Sequence, residues 1–472
     1  MIEEKRKNLS DWYLDVLQKA DIFDYGPARG TIIFKPYGYA LWENIQFYLD
    51  KFIKEKIGAQ NVYFPLFIPE SLLKKEKEHL EGFSPEVAVV TYAGGSELEE
   101  KLIVRPTSET IIYDAFSRWI KSYRDLPLII NQWCNVVRWE KRPFPFLRNT
   151  EFLWQEGHGA HYDHDDSLKT VFEALDCYIR IYQDYLGIFG YAGQKSESEK
   201  FAGALKTFTY EILIPDGRAL QGCTSHDLGQ NFSIPFGIKF QDKDMSLKYV
   251  WQNSWGFSTR SLGAIFLVHG DELGLVLPPK VAPYQLVIVP IYDGKNDSQI
   301  DEFCNIIYRK LKEKIRVFLD NREETPGYKF NDWDLKGVPF RLEIGQQELN
   351  NKILTFYRRD KRERFKMELD KFVDSFENLI EEFTQNLLER SKKLTLENTY
   401  EVENYNEFKK IMEEKRGFLK AFWCEDKNCE LKIKEETKAT TRCLPLTNEE
   451  KDGKCIYCGR KAKSQWIFAQ AY

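Results

Sequence analysis

The hydrophobic pattern of this chain changes character near residue 282, and that change limits the folds open to it. Upstream, segments 128–140, 150–158, 207–214, 221–233 and 246–258 read as strands, the first two alternating or running apolar. Strands grouped in this way predict an α+β domain built on an antiparallel sheet. The Pro-rich joint at 278–285 then reads as a domain boundary. Beyond it, strands at 285–291, 316–320, 338–345 and 351–358 alternate with helices at 297–313 and 326–335. That alternation predicts an open α/β domain with some parallel pairing. A long amphipathic helix at 366–393 follows, with Phe372, Val373, Phe376, Leu379, Ile380, Phe383 and Leu387 on its inner face. The reading divides the chain at 1–282, 283–395 and 396–472.

Within the first part, residues 36–57 read as a helix. Pro36 suits its first turn, Gly58 ends it, and Trp42, Ile45, Leu49, Phe52 and Ile53 share a face. Residues 61–67 read as a strand that Pro65 confines to an edge or an interface. Strands 128–140 and 150–158 form an antiparallel pair joined by the Pro-rich loop 141–149. Residues 165–186 form a second amphipathic helix through Leu168, Val171, Phe172, Leu175, Ile179, Tyr182 and Leu186.

Lys and Arg number 68 against 73 Asp and Glu, a net charge of −5. This argues against a bulk nucleic-acid coat protein but leaves room for a local basic face that binds RNA. No apolar run is long enough for a transmembrane helix, and the first residues lack the apolar core of a secretion signal, so a cytoplasmic protein is expected. Five of the nine cysteines crowd into the last 49 residues. Cys424-x4-Cys429 and Cys455-x2-Cys458 have the spacing of two knuckles closing one structural Zn2+ site, with Cys443 as an alternative ligand.

Four segments carry chemistry. Arg138 and Glu140 stand two apart on a strand, with Arg148 closing the loop and Phe152 on the return strand. Guanidiniums take phosphate and a ring face stacks on a base, although the same residues suit a surface strand with ordinary salt bridges. Gly256 to Arg260 opens a helix as a phosphate site does, and equally as a tight turn does. Arg105-Pro106-Thr107-Ser108-Glu109-Thr110 reads as a helix N-terminus with an acidic first turn. Gln221-Gly222-Cys223-Thr224-Ser225-His226 reads as a strand with polar groups able to line a pocket.

In this order and at these spacings, the segments resemble class II (IIa) aminoacyl-tRNA synthetases, specifically the prolyl-tRNA synthetases of the archaeal/eukaryotic type. Helix 36–57 with strand 61–67 is similar to motif 1, which builds the dimer interface. Arg138-Trp139-Glu140 through His158 is similar to motif 2, and Ser254 to Arg260 through Pro279 to motif 3. Segment 105–110 resembles the family's proline-recognition loop, 200–205 and 221–226 resemble its segments between motifs 2 and 3, and 336–345 with 358–360 its anticodon-binding domain. The cysteine-rich tail and terminal Tyr472 resemble the family's C-terminal zinc-binding α+β domain.

The resemblance implies an enzyme, a proline–tRNA ligase that forms prolyl-adenylate from L-proline and ATP and then esterifies tRNA(Pro). It implies Mg2+ with the ATP, a structural Zn2+ and a homodimer. Arg138 and Arg260 would be catalytic. ATP would meet Arg138, Glu140, Arg148, Asn149, Phe152, Gln221, Thr224, Ser258 and Arg260. Proline would meet Thr107, Glu109, Arg138 and His226, with Trp154, Glu156, His158 and Phe201 forming or supporting the pocket wall. Lys329, Arg341, Glu343, Arg358 and Asp360 are the candidate anticodon contacts, each of which equally suits a solvated α/β surface. Zinc would be held by Cys424, Cys429, Cys455 and Cys458. From Gly157 to Val250 the chain has only 94 residues, so no bacterial-type editing insertion is expected there. Cys223 stands where the family often has a smaller residue, which implies altered packing of the pocket. The competing readings are another class IIa synthetase, such as the threonyl enzyme, and an inactive paralogue acting as an RNA-binding or regulatory protein.

Overall fold

The computed structural model describes residues 8–77, 87–351 and 353–472. The first seven residues, part of the segment read for a secretion signal, lie outside the described residues. Among those described, no helix is long and apolar enough to cross a membrane.

The antiparallel sheet is present. Strand Leu128–Val137 pairs with Glu151–His161, which pairs with Trp251–Ser258, then Ala219–Gly229, Lys206–Leu213 and Tyr191–Gln194. Helix Pro36–Phe52 starts on Pro36, widens into a π turn over Ile53–Ile57 and stops at Gly58, whose φ of 74° suits a residue without Cβ. Its predicted face is buried: Trp42, Ile45, Leu49, Phe52 and Ile53 all join the main core. Helix His164–Arg180 covers the same sheet, but Phe172, expected on the inner face, is 40% exposed and rests against Phe208.

The strand expected at 61–67 is broken in two. Gln60–Asn61 pairs in parallel with Ile130 and Asn131, and Phe67–Pro69 joins a separate three-stranded sheet. Pro65 lies between them, where a residue without an N–H does least harm.

The second part is α/β as expected. Val317–Leu319, Leu286–Pro290 and Phe340–Ile344 run parallel, and Ile353–Arg358 returns antiparallel. A fifth strand, Glu363–Glu368, was not anticipated: its residues alternate polar with half-buried apolar at the sheet edge, and the long helix begins only at Leu369. Asp271 ties the two parts together through a bidentate contact with the buried Arg359, at 2.6 and 2.7 Å, and a contact with Arg362 at 2.8 Å.

The tail does not stand apart. Ala439–Pro445 pairs with Tyr191–Gln194 and with Ser464–Gln470, and Phe418–Trp423 and Thr399–Glu401 extend the same sheet outward. Backbone hydrogen bonds therefore run from the cysteine-bearing module into the sheet that carries motifs 2 and 3.

Candidate active site

Strand geometry gathers the chemistry-bearing side chains on one face of the large sheet. Trp154, Glu156 and His158 stand two apart on Glu151–His161 and project the same way. Opposite them, in register, lie Ser258, Gly256 and Ser254. Gly157, on the other face, is required: a Cβ there would lie 2.2 Å from the buried Trp255 ring. On the next strand, Gln221 and Thr224 are three apart and would ordinarily face opposite ways. Their pairing with Lys206–Leu213 skips Gly222, a bulge that puts both on the cavity side. His226 faces Ser254 and Thr207 in register.

Two cavities open on this face. The first, of about 410 Å3, is lined by Thr107, Glu109, Arg138, Trp154, Glu156, His158, Phe201, Gln221, Thr224 and His226. The second, of about 300 Å3, is lined by Arg138, Glu140, Arg148, Asn149, Phe152, Ser258 and Arg260. Arg138 borders both. The three guanidiniums, distant along the chain, thus converge on one cavity, and the expected pocket residues share the other. Gln221 and Thr224, expected at the nucleotide, line the first cavity.

The first cavity is a preorganised polar box. Glu156 accepts from Gln132 Nε2 at 2.9 Å, from Ser108 Oγ and from His158 Nε2 at 3.1 Å. Although burial alone would raise its pKa, His158, Ser108 and Gln132 together hold its carboxyl below the usual range. Tyr113 Oη meets the other ring nitrogen of His158 at 3.1 Å. Glu109 is different. Burial, with help from Glu156, pushes its carboxyl up despite His158 and the hydroxyl of Thr107. His226 Nδ1 meets Thr207 Oγ1 at 2.9 Å, and burial lowers the ring's pKa to about 3, so it is neutral at physiological pH.

In the second cavity, the hairpin loop turns through Phe146, at φ 63°, whose ring packs on Phe23, Phe34 and Phe266. This anchors Arg148 and Asn149. Arg138 Nε donates to Pro106 O at 2.9 Å, leaving its terminal nitrogens toward the cavities, with its guanidinium 5.5 Å from the Phe152 ring. Arg260 donates Nε to Leu147 O at 3.2 Å. Among the described residues, Arg148 Nε and Asn149 Oδ1 at this cavity, and Ser254 Oγ at the first, are buried with no protein partner. Tyr472 reaches this region, its ring 5.6 Å from the Arg148 guanidinium.

Sequence reasoning missed several lining residues: Glu199, Lys200, Thr207, Ser254 and Gly256. The alternation of Ser254 and Gly256 with Ser258 was the available signal. The expectation for Cys223 is corrected. It points to the opposite face, buried in the main core away from the cavity, so it does not shape the pocket. The five candidate anticodon residues do not form the solvated surface considered as their alternative: all are under 10% exposed. Arg341 pairs with Glu343 and Asp334, Arg358 with Asp360, and Lys329 Nζ donates to Asp320 O at 3.1 Å.

In the tail, the Sγ atoms of Cys424, Cys429, Cys455 and Cys458 all lie within 4.8 Å of one another. Cys424 is 3.8 Å from Cys429 and 3.7 Å from Cys458. A tetrahedron with Zn–S bonds of about 2.3 Å has edges of about 3.8 Å, so the donor set fits. Arg460 Nε donates to Cys458 Sγ at 3.2 Å. Desolvation acts upward on this thiol, but Arg460 brings it down to about 6. Cys443, the alternative ligand, is buried elsewhere, beside Ala219 and Ile467.

Comparison with known proteins agrees along the whole chain. Residues 90–269 match the family described as tRNA synthetase class II core domain (G, H, P, S and T). Residues 285–379 match the anticodon binding domain, and 405–472 the prolyl-tRNA synthetase C-terminal domain. The proline–tRNA ligase of Natranaerobius thermophilus is 50% identical over 474 residues, covering 100% of this chain and 98% of that protein. That of Alkaliphilus oremlandii is 49% identical over 466 residues, covering 98% and 96%. The crystal structure of prolyl-tRNA synthetase from Cryptosporidium parvum, complexed with halofuginone and AMPPNP, matches with a TM-score of 0.93 at 41% identity, covering 99% of this chain and 98% of that one. With the paired cavities, the converging arginines and full-length relatives in agreement, the chain belongs to the class II prolyl-tRNA synthetases.

Proposed function

We propose that this protein joins L-proline to tRNA(Pro) in two steps at the paired cavities. The observation that carries the reading is Arg138 standing between them. Proline binds in the first cavity. Its secondary ammonium donates to Glu109 and Thr107, and its ring lies among Trp154, His158, Phe201 and His226. ATP binds in the second, with adenine on Phe152 and the triphosphate among Arg138, Arg148 and Arg260. Arg138 then holds the proline carboxylate and the α-phosphate together. The carboxylate oxygen attacks the α-phosphorus, the bond to the β-phosphate oxygen breaks, and pyrophosphate leaves with its charge met by Arg148 and Arg260. A terminal hydroxyl of tRNA next attacks the mixed anhydride and releases AMP. No protein nucleophile is needed, since positioning and charge neutralisation carry such transfers.

Glu140, a carboxylate of the second cavity, suits Mg2+, which keeps most of its ligands as phosphate oxygens and water and would screen the triphosphate charge. The four clustered thiols suit one structural Zn2+ with no open position. Dimerisation through motif 1 is supported by the exposed Phe47, Tyr63 and Phe67, which are 65%, 73% and 47% accessible in the single chain. A cytoplasmic location fits a partner such as tRNA. In the anticodon-binding domain, Arg341, Glu343, Arg358 and Asp360 act from within their ion pairs and Lys329 from its bond to the Asp320 carbonyl, either on RNA directly or by shaping the surface it meets.

The threonyl reading requires a catalytic zinc in the central domain. The four tail cysteines are the metal-ligating cluster found among the described residues. ATP–pyrophosphate exchange tests the proposal: exchange should depend on proline. Exchange driven by threonine, or none with any amino acid, would refute it.

A further inference from the structure

The turn that walls the first cavity is held by the cysteine-bearing helix. Glu199, Lys200 and Phe201 line the cavity. Three residues before Glu199, Ser196 is 2% exposed and donates Oγ to Glu430 Oε1 at 2.8 Å. Thr441 Oγ1 lies 2.9 Å from the same Ser196 oxygen and also touches that carboxylate oxygen. One turn further along helix Lys427–Thr437, Lys434 pairs with Glu199 at 3.5 Å. Lys195, at the start of the turn, is clamped by the buried Glu211 at 2.6 Å, whose other oxygen takes Arg442 Nε at 2.8 Å. Ser196–Glu430, Ser196–Thr441 and Glu199–Lys434 join the pocket turn to the C-terminal module directly, and Lys195 reaches it through Glu211 and Arg442. Glu430 directly follows Cys429, on the first turn of that helix, so whatever fixes Cys429 fixes Glu430.

We propose that Glu430 is a positioning residue for amino-acid binding: it pins Ser196, and through it the turn bearing Glu199, Lys200 and Phe201, so that metal occupancy at the four thiols and closure of the first cavity form one coupled state. This rests on reading the first cavity as the amino-acid site. Four thiolates bound to one ion would fix the start of the helix; without it the thiols are joined by Arg460, which is exposed and contacts Cys424, Cys429 and Cys458 at 3.6, 3.8 and 3.2 Å.

The test combines Glu430→Ala, Ser196→Ala and Glu430→Gln with hydrogen exchange. Gln keeps an oxygen able to accept from Ser196. In ATP–pyrophosphate exchange, Glu430→Ala should raise KM for proline about tenfold, the size expected for one lost charge-assisted hydrogen bond, with KM for ATP within about twofold of wild type. Ser196→Ala should move KM in the same direction, and Glu430→Gln should restore most of the loss. Amides of 195–205 should exchange faster in Glu430→Ala, and in the wild-type protein after zinc chelation, with motif 2 amides unchanged. Unchanged proline KM in both alanine variants, equal rises in both KM values, or loop exchange indifferent to chelation would overturn the proposal. If Glu430→Ala does not fold, Ser196→Ala and the chelated wild type decide. Proline-independent exchange by the wild-type enzyme would instead refute the amino-acid site, whereas hydrogen exchange at 195–205 does not depend on which substrate binds.

Discussion

Glu109 shows how this site trades stability for binding. Its carboxyl is 4% exposed, and burial raises its pKa above the ordinary value of 4.5. A raised carboxyl pKa supports the fold below the unfolded value, and that support is lost as pH rises toward the folded one. Glu109→Gln should therefore gain stability over wild type as pH climbs from 4.5 to neutrality, while KM for proline rises by about tenfold or more because a charged acceptor is lost. Thermal melts of both proteins across that range, beside exchange kinetics, check both halves, and a stability difference from wild type no larger at pH 7 than at pH 4.5 contradicts the account. His226 runs the other way in pH. Its folded pKa of about 3 means that the unfolded chain takes a proton the folded ring refuses, so this residue costs stability as pH falls below 6.5. At the cavity proposed for the nucleotide, Arg260→Ala should lower kcat for exchange by about 100-fold or more, in line with the loss of one preorganised charge-stabilising group.

At the scale of elements, what the sequence made legible was periodicity, and what it hid was register. The inner face of helix Pro36–Phe52 and the pairing of Leu128–Val137 with Glu151–His161 follow from apolar spacing, and the structure has both. The bulge at Gly222 does not follow from spacing, since strict alternation would send Gln221 and Thr224 to opposite faces. Strand Glu363–Glu368 was hidden because an edge strand needs few apolar residues. The loop turn at 195–201 has no periodicity at all, so its acidic and basic pocket residues were invisible except through Phe201. The knuckles were legible because ligand spacing is itself the signal. One zinc per chain is expected in metal analysis of the purified protein. Cys458→Ser should release it and lower Tm, and a variant that keeps full zinc would contradict the four-thiol site.

For the whole molecule, the central question is how three parts act as one. Asp271 joins motif 3 to the anticodon-binding domain. Burial alone would raise its carboxyl, but Arg359 and Arg362 hold its pKa to about 2. That depressed value supports the fold at neutral pH, and the support fades as pH falls below 3.8 toward 2. Asp271→Asn leaves a buried guanidinium unpaired and should cost about 3–5 kcal/mol in denaturant unfolding at pH 7. Between motifs 2 and 3, the residues from Gly157 to Val250 are used up by sheet strands and the covering helix, with no inserted domain. A pocket of fixed size separates proline from smaller amino acids by only about 1–3 kcal/mol per methylene, so alanine should be activated weakly and alanyl-tRNA(Pro) should not be cleared by the pure protein. Efficient deacylation would contradict this.

The convergence of Arg138, Arg148 and Arg260 beside a cavity for a cyclic amino acid is tested most directly by a crystal structure with a non-hydrolysable prolyl-adenylate analogue. One molecule should span both cavities, its pyrrolidine ring near Glu109 and His226, its adenine on Phe152 and its sulfamoyl or phosphate link at Arg138. An analogue bound with its adenosine in the first cavity, or away from all three guanidiniums, would contradict the account.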